Sequence, residues 1–241
     1  VIDLHCHILP GVDDGARTIE DSVEMARMAA AAGTTTICAT PHMLHPQFHV
    51  PGPVAKEKLS LVRAALAAAG VGVEIVLAGE IHWSDAIEAG LASGELLPYC
   101  AERRYVLLEL PMSHVPHAAR DVIWRLQMAG VFPVLAHPER NADFERNPDL
   151  IHEYRAAGVP CQVTAMSLTG EFGRRARKVS ERWLAEGAID LVASDGHSTG
   201  SRPPTLDEAA RVVRREGGET LEQWVTREVP RRILAGEPVL G

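Results

Sequence analysis

Short apolar, β-branched runs recur along the chain, separated by longer stretches in which apolar residues return every three or four positions. Seven runs read as buried strands: Ile2–His5, Thr36–Thr40, Val73–Glu80, Tyr105–Leu110, Phe132–His137, Pro160–Thr164 and Ile189–Asp195. Their starts are spaced by roughly thirty residues, the length of one strand–helix–strand unit. Several are continuously apolar rather than alternating, as expected of parallel strands covered on both faces. The stretches between them carry helix boundary signals. Thr18 and Asp21 have capping-box spacing ahead of Val23–Ala32, which stops at Gly33. Pro53–Ala69, His117–Ala129 and Phe172–Glu186 each stop at a glycine, Arg211–Arg215 stops before Gly217 and Gly218, and Leu221–Leu234 follows. The regular alternation predicts one α/β domain over residues 1–241, a closed or nearly closed parallel barrel.

Polar residues that bind metals fall at one point of this repeat. His5, His7, His42, Glu80, Glu109, His137, Asp195 and His197 each sit at or just beyond the end of an apolar run. A parallel α/β fold gathers its strand ends on one face, so these groups are expected to converge. His5 and His7 are two apart on an extended segment and share a face, and Asp195 and His197 repeat that spacing. Gly196 between them is expected to let the backbone turn sharply. Glu80 and Glu109 end apolar strands, where an unpaired carboxylate is costly to bury. Imidazole and carboxylate without thiolate suit Mn, Fe(II) or Zn in a multinuclear hydrolytic site. His45, His49, His82, His114, His117 and His152 read as loop or helix residues outside the set.

Composition narrows the picture further. A net charge of −8 from 24 basic and 32 acidic residues disfavours a nucleic-acid surface. Three divalent ions would cancel about six of those charges, so an anionic substrate is not excluded at the metal face. Apolar runs shorter than roughly 18 residues predict no membrane insertion, and no leader is expected at the N-terminus. Cys6, Cys38, Cys100 and Cys161 lack paired spacing, which suits buried thiols in a reducing cytoplasm. A thiolate phosphatase needs an arginine six residues beyond its cysteine; those positions hold Val12, Leu44, Val106 and Ser167. Cysteine catalysis is therefore not expected, and no Walker-type phosphate loop is present.

These residues resemble the PHP superfamily (polymerase and histidinol phosphatase). Within it the resemblance is to the bacterial manganese-dependent tyrosine-protein phosphatases of capsule and exopolysaccharide operons, the CpsB/CapC/YwqE type. It rests on the opening Ile2–Ala16, then Ala39–His42, Ala136–Arg140, Ser167–Gly173, Ala193–His197 and Ser201–Pro204, in order along nearly the whole chain. The resemblance implies a distorted seven-stranded parallel (β/α)7 TIM-like barrel, the PHP fold. It also implies a trinuclear divalent-metal centre, most often manganese with Fe or Zn as alternatives, held by the eight residues above. The implied substrate is the tyrosine-phosphorylated tail of a bacterial kinase, with oligomerisation left open. Two positions depart from the pattern: Gly196 stands where alanine is more usual, expected to be harmless, and Met166 replaces a small or polar residue, expected to reshape the substrate groove.

The expected chemistry is attack on phosphorus by water acidified by the metals, with a pKa of roughly 7 in place of 15.7. Arg140 and Arg202, on loops close behind ligands, are expected to bind phosphate oxygens. Asp13 and Asp14 are expected to orient His5 or His7, and Asp14 to protonate the leaving oxygen. The run Arg174–Lys178 reads first as a solvated helix face. The competing activity is a small-molecule phosphoesterase such as histidinol-phosphate phosphatase; a metal-binding module without catalysis would be expected to lack a ligand, and none is missing.

Overall fold

The computed structural model describes residues 1–99 and 104–240, so Cys100 lies outside the described residues. Nine strands occur: β1 (Ile2–Cys6), β2 (Thr36–Ala39), β3 (His42–Met43), β4 (Glu74–Leu77), β5 (Glu80–His82), β6 (Arg104–Glu109), β7 (Val131–Ala136), β8 (Cys161–Thr164) and β9 (Leu191–Ala193). The helices are α1 (Ile19–Ala31), α2 (Gly52–Ala68), α3 (Ile87–Ser93), α4 (Ala119–Met128), α5 (Ala142–Arg146), α6 (Leu150–Ala156), α7 (Ala165–Thr169), α8 (Gly173–Ala185), α9 (Asp207–Gln223) and α10 (Val229–Leu234). Thr18 and Asp21 form the expected reciprocal cap on α1. Helices α3, α5, α6 and α7, with five to seven residues each, were not foreseen because a periodic pattern needs about three turns to register. At Gly218 (φ 82°, ψ 174°) the helical run kinks and resumes, where a stop was expected.

Every strand pair is parallel, as the apolar runs require. The pairing is split, however, into a three-stranded sheet, β1-β2-β4, and a six-stranded sheet, β3-β5-β6-β7-β8-β9. Of the seven anticipated strands, Val73–Glu80 is broken in two, and β3 is an additional short strand just beyond the end of Thr36–Thr40. Pro41 has no N–H to donate between β2 and β3, and Gly79 separates β4 from β5 where a side chain would strike Met43 Sδ at 2.3 Å. Across the breaks, single bonds persist from Ala78 N–H to Ala39 O (3.0 Å) and from Glu80 N–H to Pro41 O (3.1 Å). The two sheets meet again where Cys6 bridges Gly196 in parallel sense. There Asp195 N–H donates to His5 O and His7 N–H to Gly196 O, both at 2.8 Å.

Both sheet faces are buried. One face (Ile37, Val106, Leu108, Val163, Val192) packs with helix residues Met25, Val62, Leu126 and Trp183. The other (Leu4, Cys38, Leu107, Val134, Leu191) meets Val229 and Ile233 of α10, whose i, i+4 spacing presents both to it. No helix among the described residues is long and apolar enough to cross a membrane. Cys6, Cys38 and Cys161 are free, buried thiols.

Candidate metal centre

The parallel strands deliver all eight anticipated ligands to one end of the sheets. Glu80, at the start of β5, is fully buried and stands at the centre. Its Oε1 lies 2.8 Å from His137 Nε2 and 3.3 Å from His5 Nε2; its Oε2 lies 2.9 Å from His42 Nδ1 and 3.3 Å from His7 Nε2. Asp195 Oδ1 approaches His5 Nε2 at 3.4 Å and His7 Nε2 at 3.7 Å. His197 brings its ring to 3.9 Å from that of His7. Glu109 closes the far side at the end of β6, grouped with His42 and Glu80.

Positive φ values, rare outside glycine, occur at His137 (33°) and Asp195 (52°). His137 directly follows β7 and Asp195 lies two residues past the end of β9; each turns its side chain into the site, at a strain of about 1–3 kcal/mol that surrounding structure must offset. Gly196 itself does not turn by positive φ. A Cβ there would sit 2.7 Å from Pro204 Cα, so glycine suits the close approach in this chain. Gly15 is constrained the same way, since a Cβ would lie 2.0 Å from His7 O.

Three imidazoles are held by their far nitrogens. His5 Nδ1 is 3.0 Å from Gln162 Oε1, His7 Nδ1 is 2.9 Å from Asp13 Oδ2, and His197 Nδ1 is 2.9 Å from Asp195 O. Each arrangement keeps a proton on Nδ1 and turns Nε2 toward the centre. Asp13 therefore orients His7, while Gln162 on β8, foreseen by nothing but a polar residue inside an apolar strand, orients His5. His137 Nε2 hydrogen-bonds Glu80 Oε1 at 2.8 Å, but several other converging atoms do not pair as donor and acceptor. His5 Nε2 and His7 Nε2 face each other at 3.3 Å, and His42 Nδ1, Glu80 Oε2 and His197 Nε2 are buried without a hydrogen-bond partner. Lone pairs meeting in a buried cluster are what a cation requires, so the donor set fits divalent ions.

Electrostatics follow the same map. Burial works against charge on Glu80, but His5 and His42 hold it well below the usual carboxylate range. Burial would lower the His42 and His7 pKa values; Glu80 with Asp14 pushes His42 up to about 11, and Asp13 pushes His7 up to about 9. His197 falls to about 4 through burial and the neighbouring His7. Asp14 is half-exposed, with its Oδ1 3.4 Å from both His42 Nε2 and His197 Nε2. Desolvation opposes it, yet the adjacent His197 and His42 imidazoles hold its pKa below the usual carboxylate range. It groups with His7, His42 and His197, whose donor atoms all lie within 4.8 Å of one another, at the site where it was expected to meet the leaving oxygen.

Arg140 and Arg202 both reach Asp195 Oδ2, at 2.6 and 2.5 Å. Their guanidinium carbons lie 4.3 and 5.6 Å from the ring of Phe172, which supports both. Together with Phe48, Met112 and His45 they rim a cavity of 190 Å³ over the cluster. His45 and His82, read from the sequence as outside the set, both lie near Glu109, and His82 Nδ1 is 3.0 Å from Glu109 Oε2. Because β4 breaks at Gly79, His82 ends a strand of its own and is brought beside β6. Met166 lines a separate cavity with Glu171 and Pro203 and is absent from the rim of the metal pocket. In the Arg174–Lys178 run, Arg177 pairs with Glu181 at 2.7 Å and Arg175 is 3.9 Å from Glu145, as a solvated face does.

A family model described as "Capsular polysaccharide synthesis, CpsB/CapC" matches residues 1–235. The chain is 36% identical over 226 residues to the tyrosine-protein phosphatase YwqE of Bacillus subtilis, covering 94% of this chain and 89% of that protein. It is 27% identical over 240 residues to the tyrosine-protein phosphatase CpsB of Streptococcus agalactiae, covering 97% and 98%. Among solved structures it is similar, with a TM-score of 0.92 and 34% identity over 98% of this chain and 95% of the other, to the crystal structures of YwqE from Bacillus subtilis and CpsB from Streptococcus pneumoniae, "unique metal-dependent tyrosine phosphatases".

Proposed function

The chain belongs to the CpsB/CapC family of capsular polysaccharide synthesis, and from that premise we propose that it is a metal-dependent tyrosine-protein phosphatase. The observation that carries the proposal is the buried convergence of lone pairs from His5, His7, His42, Glu80, Glu109, His137, Asp195 and His197 beneath two arginines. Three groupings that share His7, His42 or Glu80 support three ions: His5, His7 and Glu80; His42, Glu80 and Glu109; and His7, Asp14, His42 and His197, with donors within 4.8 Å in each, while a fourth, His45, His82 and Glu109, joins them through Glu109. Manganese is the favoured metal, with Fe or Zn as alternatives, since nitrogen and carboxylate donors serve all three. Divalent ions held there supply charge that acidifies water and neutralises negative charge building at phosphorus.

The chain's own residues do the rest. Arg140 and Arg202 bind phosphate oxygens bidentately, leaving Asp195 Oδ2, on which both rest when no substrate is present. Phe172 keeps the pair aligned meanwhile. Phe48, Met112 and His45 offer an aromatic and apolar wall to an aryl ring. A phenolate, whose conjugate acid has a pKa of about 10, leaves without strong acid assistance, which suits a site whose nearest half-exposed carboxylate, Asp14, is ionised. The same reading treats the two sheets as one distorted seven-stave barrel, supported by the Cys6–Gly196 bridge. It assigns the substrate to the phosphorylated tail of a bacterial tyrosine kinase and the enzyme to the cytoplasm, where the three buried thiols stay reduced.

The test is kcat/KM on a phosphotyrosyl peptide against histidinol phosphate. Metal is first stripped by chelation, then returned as Mn, Fe(II) or Zn with elemental analysis. The peptide should be preferred and activity should return with metal. Preference for histidinol phosphate, or activity surviving complete metal removal, would overturn the proposal.

A further inference from the structure

Resting on that reading, we propose that a second, anion-binding subsite built around Arg17 adjoins the metal pocket and holds a carboxylate or phosphate on a residue flanking the phosphotyrosine. A cavity of 390 Å³ opens beside the metal pocket and shares Asp14, His197 and Arg202 with its rim. A peptide that seats its phosphate over the metals can therefore run directly into this second cavity.

The charges lining it are committed, with one exception. Asp14 lies between His42 and His197. Arg202 rests on Asp195. Asp21 accepts the backbone N–H groups of Arg17 and Thr18, both at 3.1 Å. The Arg17 guanidinium makes no ion pair or side-chain hydrogen bond among the described residues, and the Ser198 and Ser201 hydroxyls across the cavity add neutral donors. Its backbone is held on both sides. Ala16 N–H donates to His7 O at 2.9 Å and Gly11 N–H to Ala16 O at 2.8 Å, while Thr18 caps α1. The backbone that carries the free cation is thus anchored to a metal-ligand candidate, His7, which keeps the guanidinium within side-chain reach of the step from the phosphotyrosine to its neighbour. In a chain of net charge −8, a local cation of this kind also offsets the general repulsion of an acidic peptide.

The experiment compares wild type with Arg17→Gln on three phosphotyrosyl peptides that differ only in the flanking residue: neutral, glutamate or a second phosphotyrosine. p-Nitrophenyl phosphate, which has no flank, serves as the fourth substrate. Wild type should favour anionic flanks by about fivefold in kcat/KM, the size of an exposed ion pair, and Arg17→Gln should erase that preference. Preference for the phosphorylated flank alone assigns the subsite to phosphate; preference for both assigns it to anions generally. Equal rates on all three peptides in wild type, or an equal loss on all four substrates in the variant, would refute the subsite while leaving the phosphatase reading intact. Failure of wild type to hydrolyse any of the four would bring down both.

Discussion

Replacing Asp13 with asparagine isolates how a residue outside the ligand set governs metal binding. The Asp13 carboxylate is almost wholly enclosed, and its Oδ2 accepts from His7 Nδ1 at 2.9 Å and from His42 N–H at 3.1 Å, while Oδ1 accepts from Gly15 N–H at 3.0 Å. Asparagine keeps the shape but loses the charge and one acceptor, so His7 is less firmly turned toward the centre. Losing such a support lowers metal affinity by roughly 10- to 100-fold. A second effect opposes it. With Asp13 present, His7 is raised to about 9 and holds a proton at pH 7 that a metal must displace. That competition weakens binding by about 100-fold at pH 7 and vanishes near pH 9. In Asp13→Asn the His7 pKa falls and much of the competition goes with it. The loss of affinity should therefore be largest at pH 9 and shrink toward pH 7. Competition against a chelator of known affinity, with Mn or Zn at both pH values, reads it directly. Unchanged affinity at pH 9, or a larger loss at pH 7 than at pH 9, would refute the reasoning.

Three further outcomes follow from the same geometry. Metal binding at pH 7.5 should release protons from His7 and His42, whose pKa values stand at about 9 and about 11 before metal enters. Calorimetry in buffers of different ionisation enthalpy measures that release, and a heat independent of buffer would contradict it. Because both pKa values are raised on folding, the metal-free protein gains stability that is complete below about pH 6.5 and is lost as pH rises through about 9 and then 11. Gly196→Ala should cost about 1–3 kcal/mol in urea unfolding, since its Cβ would lie 2.7 Å from Pro204. It should also weaken metal binding, because Gly196 O holds His7 N–H; an unaltered midpoint would show that Pro204 yields freely.

The convergence of the eight residues was legible in the chain because its signal is local: a histidine or carboxylate ending an apolar run is conspicuous, and parallel topology brings strand ends together whatever their sequence separation. His5, His7, Glu80 and Asp195 follow that rule. Tertiary structure decided everything that depends on which side chains meet. Gln162 reaches His5 across 157 positions, Asp14 stands between two imidazoles as an ionised acceptor, and Phe172 carries both arginines. His82 became part of the site only because Gly79 breaks its strand, which no hydrophobic period announces. The split of the pairing into two sheets arises likewise from single positions, Pro41 and Gly79, acting on backbone bonds. Periodicity records which face a residue buries, summed over many positions; pairing between distant side chains rests on distances set by the whole packed fold, and a one-dimensional pattern does not carry them.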